Sequence, residues 1–253
     1  MELLDIIGDL HGCWQELSTL MDLLGHKWDD SGAVHKPSDG RKIVFLGDIT
    51  DRGPYSLACY AYTKLMVEKG YAFWVLGNHC DKLRRWAMGR DVRQSHGLSK
   101  TVREFEQSGI NKKQVAEFLN SLPQYLILDE GKLICVHAAW KDGLETEKSG
   151  SGLLRSWCLY GPTTGKILPN GLPDRIDWAV QRKPSSNSPW IVYGHQPIKE
   201  VRIEHRTVGI DTSCVFGGKL TALRWPEMET VEVKALLQYS EHPTMKRKQN
   251  DGA

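Results

Sequence analysis

The chain has 253 residues, of which 40% are hydrophobic and 25% charged, with a formal net charge of +2. This balance is typical of a globular protein, and it gives no overall charge that favours nucleic acid or a membrane surface, so a polyanionic ligand would need a local basic patch. No stretch has the length of a transmembrane helix and the N-terminus lacks a signal-peptide pattern, so we expect a cytoplasmic protein without a membrane partner.

Three short apolar segments in the first third of the chain each run into a glycine and a polar residue. They are residues 4–7, 43–46 and 73–76, and their length and composition predict buried strands. Residues 13–24 and 54–69 lie between them and have the apolar spacing or the start and stop signals of helices. Alternation of strands and helices predicts parallel strands whose carboxyl ends meet at one edge of a sheet.

The rest of the chain divides into a helical and a β-rich part. Residues 81–122 predict a polar helical insert rich in lysine and arginine, and the residues after it predict a second, mostly antiparallel or mixed sheet packed on the first. We therefore predict an α/β fold with one domain over residues 1–240 and a disordered tail over 241–253. The predicted strands of the β-rich part are 125–128, 132–137, 190–193, 201–203, 207–210, 220–225 and 230–233.

The polar residues that follow the apolar segments have the chemistry of metal ligands. Hard divalent ions prefer carboxylate and amide oxygens, and imidazole adds affinity for Mn, Fe, Co, Ni or Zn. Asp48 has two oxygens and could bridge two ions, which about 3.5–4 Å apart can clamp a phosphate and activate a water for in-line attack. The predicted ligands are Asp9, His11, Asp48, Asn78, His137 and His195.

Phosphate chemistry also needs a proton donor for the leaving oxygen. His79 follows the ligand Asn78 and is the candidate acid, and Asp51 is placed to orient and charge it. Arg52 offers a forked guanidinium that can hold two phosphate oxygens, which lysine cannot do.

Together these motifs resemble the calcineurin-like metallophosphoesterase superfamily, with Asp9-x-His11, Gly47-Asp48-x-x-Asp51-Arg52-Gly53 and Gly77-Asn78-His79. The resemblance implies two mixed sheets packed as a sandwich and flanked by helices. It implies that Asp9, His11 and Asp48 bind one metal, and that Asp48, Asn78, His137 and His195 bind the other. It also implies His79 as the general acid with Asp51 as its partner. Cys80 stands where many relatives have Glu or Asp, which argues against the ordinary protein-phosphatase branch.

A closer resemblance extends through most of the chain, to the PrpE-type bis(5'-nucleosyl)-tetraphosphatases and to the phosphatase module of bacterial polynucleotide kinase-phosphatases. It rests on Asn78-His79-Cys80-Asp81-Lys82-Leu83-x-Arg85 and on the segments 192–197 and 210–224. The resemblance implies that Arg155 is a second phosphate-binding arginine and that Asp211 supports a ligand histidine from behind.

Lesser signals leave alternatives open. Lys82 and Arg85 share one face of the predicted helical insert, either as a solvated face or as a phosphate-binding rim. His96 could contact substrate or cap a turn. Residues 161–166 fail the spacing of a phosphate-binding P-loop and predict a surface turn, and His26 and His35 are expected to be exposed.

We therefore expect a metallophosphoesterase that hydrolyses dinucleoside polyphosphates of the diadenosine tetraphosphate type through a metal-activated water. The alternatives are a phosphomonoesterase or cyclic phosphodiesterase on nucleic-acid ends, a Ser/Thr protein phosphatase, or a non-catalytic metal-binding docking module. The ligand types favour Mn²⁺, with Ni²⁺, Co²⁺, Fe, Zn²⁺ or Mg²⁺ compatible. The expected partner is a nucleotide, with a nucleic-acid end as an alternative; the sequence identifies no protein partner.

Overall fold

The computed structural model describes residues 1–242, so most of the predicted tail lies outside the described residues. The strands are β1 (Leu4–Ile7), β2 (Lys27–Trp28), β3 (His35–Lys36), β4 (Lys42–Phe45), β5 (Ala72–Trp74), β6 (Tyr125–Leu128), β7 (Leu133–Val136), β8 (Thr163–Ile167), β9 (Pro173–Arg175), β10 (Trp190–Tyr193), β11 (Arg202–Glu204), β12 (Thr207–Gly209), β13 (Lys219–Trp225) and β14 (Glu229–Lys234). The helices are α1 (Trp14–Leu23), α2 (Ser56–Glu68), α3 (Asn78–Ala87), α4 (Leu98–Gln107), α5 (Lys112–Ser121), α6 (Gly152–Tyr160) and α7 (Trp178–Gln181).

Two five-stranded sheets carry the fold. The first has the order β14-β13-β1-β4-β5, and the second has the order β11-β12-β10-β7-β6. Strands β1, β4 and β5 are parallel to one another, as are β7, β10 and β12, while β13, β14, β11 and β6 pair antiparallel with their neighbours. Each sheet therefore contains three parallel strands whose carboxyl ends can present side chains to one site.

The two sheets pack face to face through alternate residues of their central strands. In β1, Leu4 and Ile6 belong to the apolar cluster that also contains Leu133 and Cys135 of β7. Ile7 points to the opposite face and joins the larger cluster that includes residues of α1 and α2. Because side chains alternate along a strand, this division gives a sandwich with helices on its outer faces, which confirms the predicted fold class.

The helical insert begins three residues earlier than predicted. Helix α3 starts at Asn78, so Asn78 and His79 lie in its first turn, directly after β5 and Gly77. The insert continues with α4 and α5 and ends at Ser121. The start of this helix is therefore part of the predicted metal site.

Other sequence expectations need correction. Strands β13 and β14 extend the first sheet, because β13 pairs with β1, whereas the sequence pattern predicts them in the second sheet. The predicted turn at residues 161–166 contains most of β8, which forms a separate hairpin with β9. His26 and His35 are buried, because His26 contacts Asp5 at 2.9 Å and the Nδ1 atom of His35 lies 2.8 Å from the Tyr62 hydroxyl.

The predicted single domain over residues 1–240 stays a prediction. No helix within residues 1–242 is both long and apolar enough to cross a membrane. All six cysteines are buried and unpaired.

Candidate metal centre and active site

Loops after five parallel strands bring the predicted ligands together. Each loop leaves the carboxyl end of its strand and turns sharply, so side chains from both sheets face the same region. The strand ends supply Asp9 and His11 after β1, Asp48, Asp51 and Arg52 after β4, Asn78 and His79 after β5, His137 after β7 and His195 after β10.

The first group of ligands is centred on His11 and Asp48. Potential ligand atoms of His11, Asp48 and His79 lie within 4.8 Å of one another. The Nδ1 atom of His11 lies 3.0 Å from the carbonyl oxygen of Thr50, which can only accept a hydrogen bond, so Nδ1–H donates and Nε2 carries the free lone pair. That Nε2 lies 3.8 Å from Asp48 Oδ2. The imidazole is therefore held in the tautomer that binds a metal.

The second group shares Asp48 with the first. The Nδ1 atom of His137 lies 2.9 Å from the carbonyl oxygen of Leu46, which leaves its Nε2 as the acceptor. This Nε2 is 3.0 Å from Asn78 Oδ1, 3.1 Å from His195 Nδ1 and 3.4 Å from Asp48 Oδ2. Oxygen and nitrogen lone pairs thus converge on one point, which is favourable only if a cation or a shared proton lies between them.

The arrangement fits a pair of divalent ions. His195 Nε2 is buried without a hydrogen-bond partner within the described chain, as expected for a donor atom reserved for a ligand. Asp48 contributes to both groups and is 2% exposed, so both of its oxygens face the protein interior. Mixed carboxylate, amide and imidazole donors suit several first-row divalent ions, and the residues do not select one of them.

Asp9 and Asp211 add negative charge behind these groups. The Asp9 carboxylate accepts from the backbone N–H of His195 at 3.2 Å, and it lies outside both three-ligand groups. Burial, with Asp211 and Asp48 nearby, raises the pKa of Asp9 well above its usual value. Burial also raises the pKa of Asp211 to about 6. Carboxylates crowded in this way are relieved by bound cations.

The neighbouring charges set the protonation of the ligands. Burial and the nearby His79 lower the pKa of His11 to about 3, so its imidazole is neutral at pH 7. Burial alone would raise the pKa of Asp48, but the histidines His137 and His79 beside it hold that pKa well below its usual range. Burial and His137 likewise lower the pKa of His195. His11, Asp48 and His195 are therefore in their metal-binding forms at neutral pH.

His79 and Asp51 form a buried pair. The Nδ1 atom of His79 lies 2.6 Å from Asp51 Oδ2, and the backbone N–H of His79 donates to Asp48 Oδ1 at 2.9 Å. The other oxygen of Asp51 accepts from the Thr101 hydroxyl at 2.6 Å. This arrangement fixes the His79 ring and aims its Nε2 away from Asp51, which suits a residue that donates a proton to a leaving oxygen.

The backbone of these loops adopts conformations that are uncommon for residues with side chains. The φ angles of His11, Asp48, Asp51, Arg52 and His195 lie between 43° and 76°. Such angles cost about 1–3 kcal/mol each and are concentrated at functional sites. The tight turns they produce point successive side chains towards the metal groups.

Two glycines allow the strand ends to approach one another. A Cβ atom at Gly77 would lie 2.2 Å from Asp48 Oδ1, and a Cβ atom at Gly194 would lie 2.1 Å from Asp9 Oδ1. Any side chain at either position would displace a carboxylate of the site. This close approach explains why a glycine precedes Asn78 and His195.

Arg52 reaches the site from its edge. Its guanidinium stacks over the Phe216 ring at 5.2 Å, and its Nε is buried without a partner within residues 1–242. Burial lowers the pKa of Arg52, and the nearby Asp48 and Asp51 oppose that effect. A cation with unused donors beside the metal groups is suited to bind phosphate oxygens.

Two of the three basic residues predicted outside the metal motifs line the cavity, and the third does not. Lys82 and Arg85 line the same cavity as the metal groups, with Lys82 Nζ donating to the carbonyl oxygen of Ser95 at 3.2 Å. Arg155 does not line the cavity and instead forms an ion pair with buried Asp81, which also pairs with Arg85. The role of each in substrate binding stays a prediction.

Asp211 lines the cavity, and its Oδ1 accepts from the backbone N–H of Ser213 at 3.2 Å. No hydrogen bond joins Asp211 to a histidine among the described residues, so its predicted support of a ligand histidine stays a prediction. His96 also lines the cavity and lies edge-on to His79, with ring centres 6.5 Å apart.

Several cavity residues were not predicted from the sequence. The cavity has a volume of about 550 Å³, within the usual range for small-molecule sites. Thr101 does not line the cavity, but its hydroxyl donates to Asp51. It lies in α4, outside any motif that would predict a site residue. The unpredicted lining residues include Tyr160, Leu168, Leu172, Arg175 and Phe216.

Comparisons with known proteins agree with this geometry. The family model of the calcineurin-like phosphoesterases matches residues 4–229. The chain is 46% identical over 244 residues to the bis(5'-nucleosyl)-tetraphosphatase PrpE [asymmetrical] of Geobacillus sp. (strain WCH70), covering 93% of this chain and 96% of that protein. It is 44% identical over 242 residues to the protein of the same name from Anoxybacillus flavithermus, covering 93% and 95%.

Solved structures show the same fold at lower sequence identity. A protein serine/threonine phosphatase from Saccharomyces cerevisiae superposes with a TM-score of 0.63 at 14% identity, covering 96% of this chain and 82% of that chain. A cold-active protein-tyrosine phosphatase from a Shewanella species gives 0.59 at 15% identity, covering 92% and 80%. With a family match over most of its length, the chain belongs to the calcineurin-like phosphoesterases, which are metal-dependent hydrolases of phosphoric ester or anhydride bonds.

Proposed function

We propose that the protein hydrolyses dinucleoside polyphosphates of the diadenosine tetraphosphate type, at one phosphoanhydride bond and with unequal products. The observation that carries this proposal is the sequence identity of 46% and 44%, over 93% of the chain, to two proteins named asymmetrical bis(5'-nucleosyl)-tetraphosphatases. A cavity lined by Arg52, Lys82 and Arg85 beside the metal groups supports it, because a phosphate chain needs several cations along its length.

The chain's own residues perform three tasks in this reaction. Arg52 binds the oxygens of the phosphate that is attacked, with its side chain braced on Phe216. His79 donates its Nε2 proton to the oxygen that leaves when the anhydride P–O bond breaks, and Asp51 keeps the ring in the orientation that allows this. Two divalent ions, when bound, supply Lewis acidity to the phosphate oxygens and to the attacking water.

We further propose Mn²⁺ as the metal and the cytoplasm as the location. The ligands combine carboxylate and amide oxygens with imidazole nitrogens, a set that Mn²⁺ accepts. Six buried cysteines without a disulfide suit a reducing compartment.

A substrate panel tests the proposal. Purified protein loaded with Mn²⁺ is assayed with diadenosine tetraphosphate, a phosphoserine peptide and a 2',3'-cyclic nucleotide, with Asp48→Asn as the inactive control. We expect kcat/KM for the dinucleotide to exceed the other two by at least about tenfold, which corresponds to about 1.4 kcal/mol of additional transition-state binding. Cleavage of the phosphopeptide or of the cyclic nucleotide with the dinucleotide left intact would contradict the proposal.

A further inference from the structure

Arg175 is a cation inside the active-site cavity without an acidic partner. It lies at the end of β9, lines the cavity and donates from Nη1 to the carbonyl oxygen of Tyr160. Within residues 1–242, no carboxylate oxygen lies within ion-pair distance of its guanidinium. Burial lowers the pKa of Arg175, and no neighbouring acid offsets that effect. A guanidinium has five N–H donors, so most of its binding capacity remains available to an anion.

Arg155, the arginine expected from the sequence to bind phosphate, is in the opposite situation. It pairs with Asp81, a fully buried carboxylate that also pairs with Arg84 and Arg85. Its guanidinium therefore already has a carboxylate partner, and it lies outside the cavity lining. Arg175 has the position and the unpaired charge that Arg155 lacks.

Arg175 and Arg52 line the same cavity as His195, a predicted ligand of the second group. Different elements hold the two arginines, because Arg175 ends β9 and Arg52 follows β4 with its guanidinium over the Phe216 ring. A phosphate chain in the cavity would therefore meet two separate cations.

The hairpin that carries Arg175 also presents apolar side chains to the cavity. Strands β8 and β9 form a separate two-stranded sheet, and the tip is closed by hydrogen bonds between Leu168 and Leu172 and between Gly171 and Leu168. Leu168 is 40% exposed and, with Leu172, lines the cavity. Exposed leucines on the wall of a charged cavity are typical of a surface that an apolar part of a ligand covers.

We propose that the β8–β9 hairpin binds the nucleotide beyond the metal-held phosphate, with Arg175 on the phosphate chain and Leu168 and Leu172 against the nucleobase. This proposal rests on the proposed function, because a dinucleoside polyphosphate carries a second nucleobase at the far end of its phosphate chain. The hairpin then acts as a specificity element: it favours long substrates over small phosphate esters.

Competitive inhibition separates the two contacts. Inhibition constants of diadenosine tetraphosphate and of inorganic tetrapolyphosphate are measured against hydrolysis of p-nitrophenyl phosphate at fixed free Mn²⁺. The variants are Arg175→Ala, Arg175→Lys and Leu168→Asn. Ile167→Asn is the matched control, because Ile167 precedes Leu168, is 68% exposed and does not line the cavity. Circular dichroism establishes that each variant is folded.

We expect Arg175→Ala to raise both inhibition constants by about tenfold or more, since a hydrogen bond to a charged group is lost. Arg175→Lys should give a smaller increase, and it replaces Arg175→Ala as the test if that variant does not fold. Leu168→Asn should raise only the constant for the dinucleotide, and Ile167→Asn should change neither. Unchanged tetrapolyphosphate binding in the folded arginine variants, or equal behaviour of Leu168→Asn and Ile167→Asn, would overturn the proposal. Failure of the unmodified protein to cleave the dinucleotide would instead refute the proposed function, while tetrapolyphosphate binding would still test Arg175.

Discussion

His79 Nδ1 lies 2.6 Å from Asp51 Oδ2, while the second oxygen of Asp51 is held by Thr101 at the same distance. The pair is buried beside the ligands His11 and Asp48. His79 lies within the first three-residue group, but Asp51 binds its Nδ1 and orients the ring as a proton donor. Loss of His79 and loss of metal should therefore have different consequences.

Replacing His79 with Asn should lower turnover by about 10²–10⁴-fold, the usual range for general acid catalysis, without changing bound metal. Because a proton donor matters most when the leaving oxygen is strongly basic, phenyl phosphate should be affected more than p-nitrophenyl phosphate. Steady-state kinetics and elemental analysis check both points. Equal losses on the two esters would contradict the assignment of His79 as the acid.

Thr101 should act as a positioning residue for Asp51. Thr101→Val removes the hydroxyl that donates to Asp51 Oδ1 but keeps the shape of the side chain. We expect kcat to fall about tenfold with KM unchanged, a loss of about 1.4 kcal/mol in the transition state. Thr101→Ser retains a donor and should restore most of kcat. A serine variant as impaired as the valine variant would refute a role for the hydroxyl.

Asp48→Asn should abolish binding of both metals, because Asp48 is the residue shared by the two ligand groups. The unmodified protein should gain thermal stability when Mn²⁺ is added, by the linkage between binding and folding, and the variant should gain little. Elemental analysis should find essentially no metal in Asp48→Asn after loading. Asn78→Ala is the comparison, because Asn78 contacts only the second group. Full loading of Asp48→Asn would rule out the bridging role.

The stability that His11 contributes to the metal-free protein should be lost as the pH falls below 6.5. The pKa of His11 is about 3 in the folded chain, so between pH 6.5 and pH 3 the unfolded chain binds a proton there that the folded chain does not. The free energy of unfolding should then decrease with falling pH by up to about 1.4 kcal/mol per pH unit from this group. Urea unfolding in the presence of chelator, between pH 7 and pH 4.5, measures the slope. His11→Gln lacks this contribution, so a variant with the same slope as the unmodified protein would contradict the shift.

The sequence was sufficient for the parts of the site that follow from local chemistry. Asp9, Asp48, Asn78 and His195 each follow an apolar strand, and the rule that parallel strands end at one sheet edge predicts that they converge. The structure places Asp48, Asn78 and His195 around the Nε2 atom of His137, and Asp9 against the backbone N–H of His195.

Side-chain contacts between residues far apart in the chain could not be predicted from the sequence. Arg155 forms an ion pair with Asp81, 74 residues away, and nothing local to either residue indicates that contact. Arg175 was overlooked because its segment has the polar and turn-forming residues of an ordinary loop. The burial of His26 and His35 could not be predicted for the same reason, because their partners Asp5 and Tyr62 belong to other elements.

The most direct test of the account is hydrolysis of diadenosine tetraphosphate as metal-free protein is titrated with Mn²⁺. We predict that activity rises to a plateau at two equivalents of Mn²⁺ and that the products are two unequal nucleotides. No hydrolysis at any Mn²⁺ concentration, or full activity at less than one equivalent, would contradict a two-metal dinucleoside polyphosphate hydrolase.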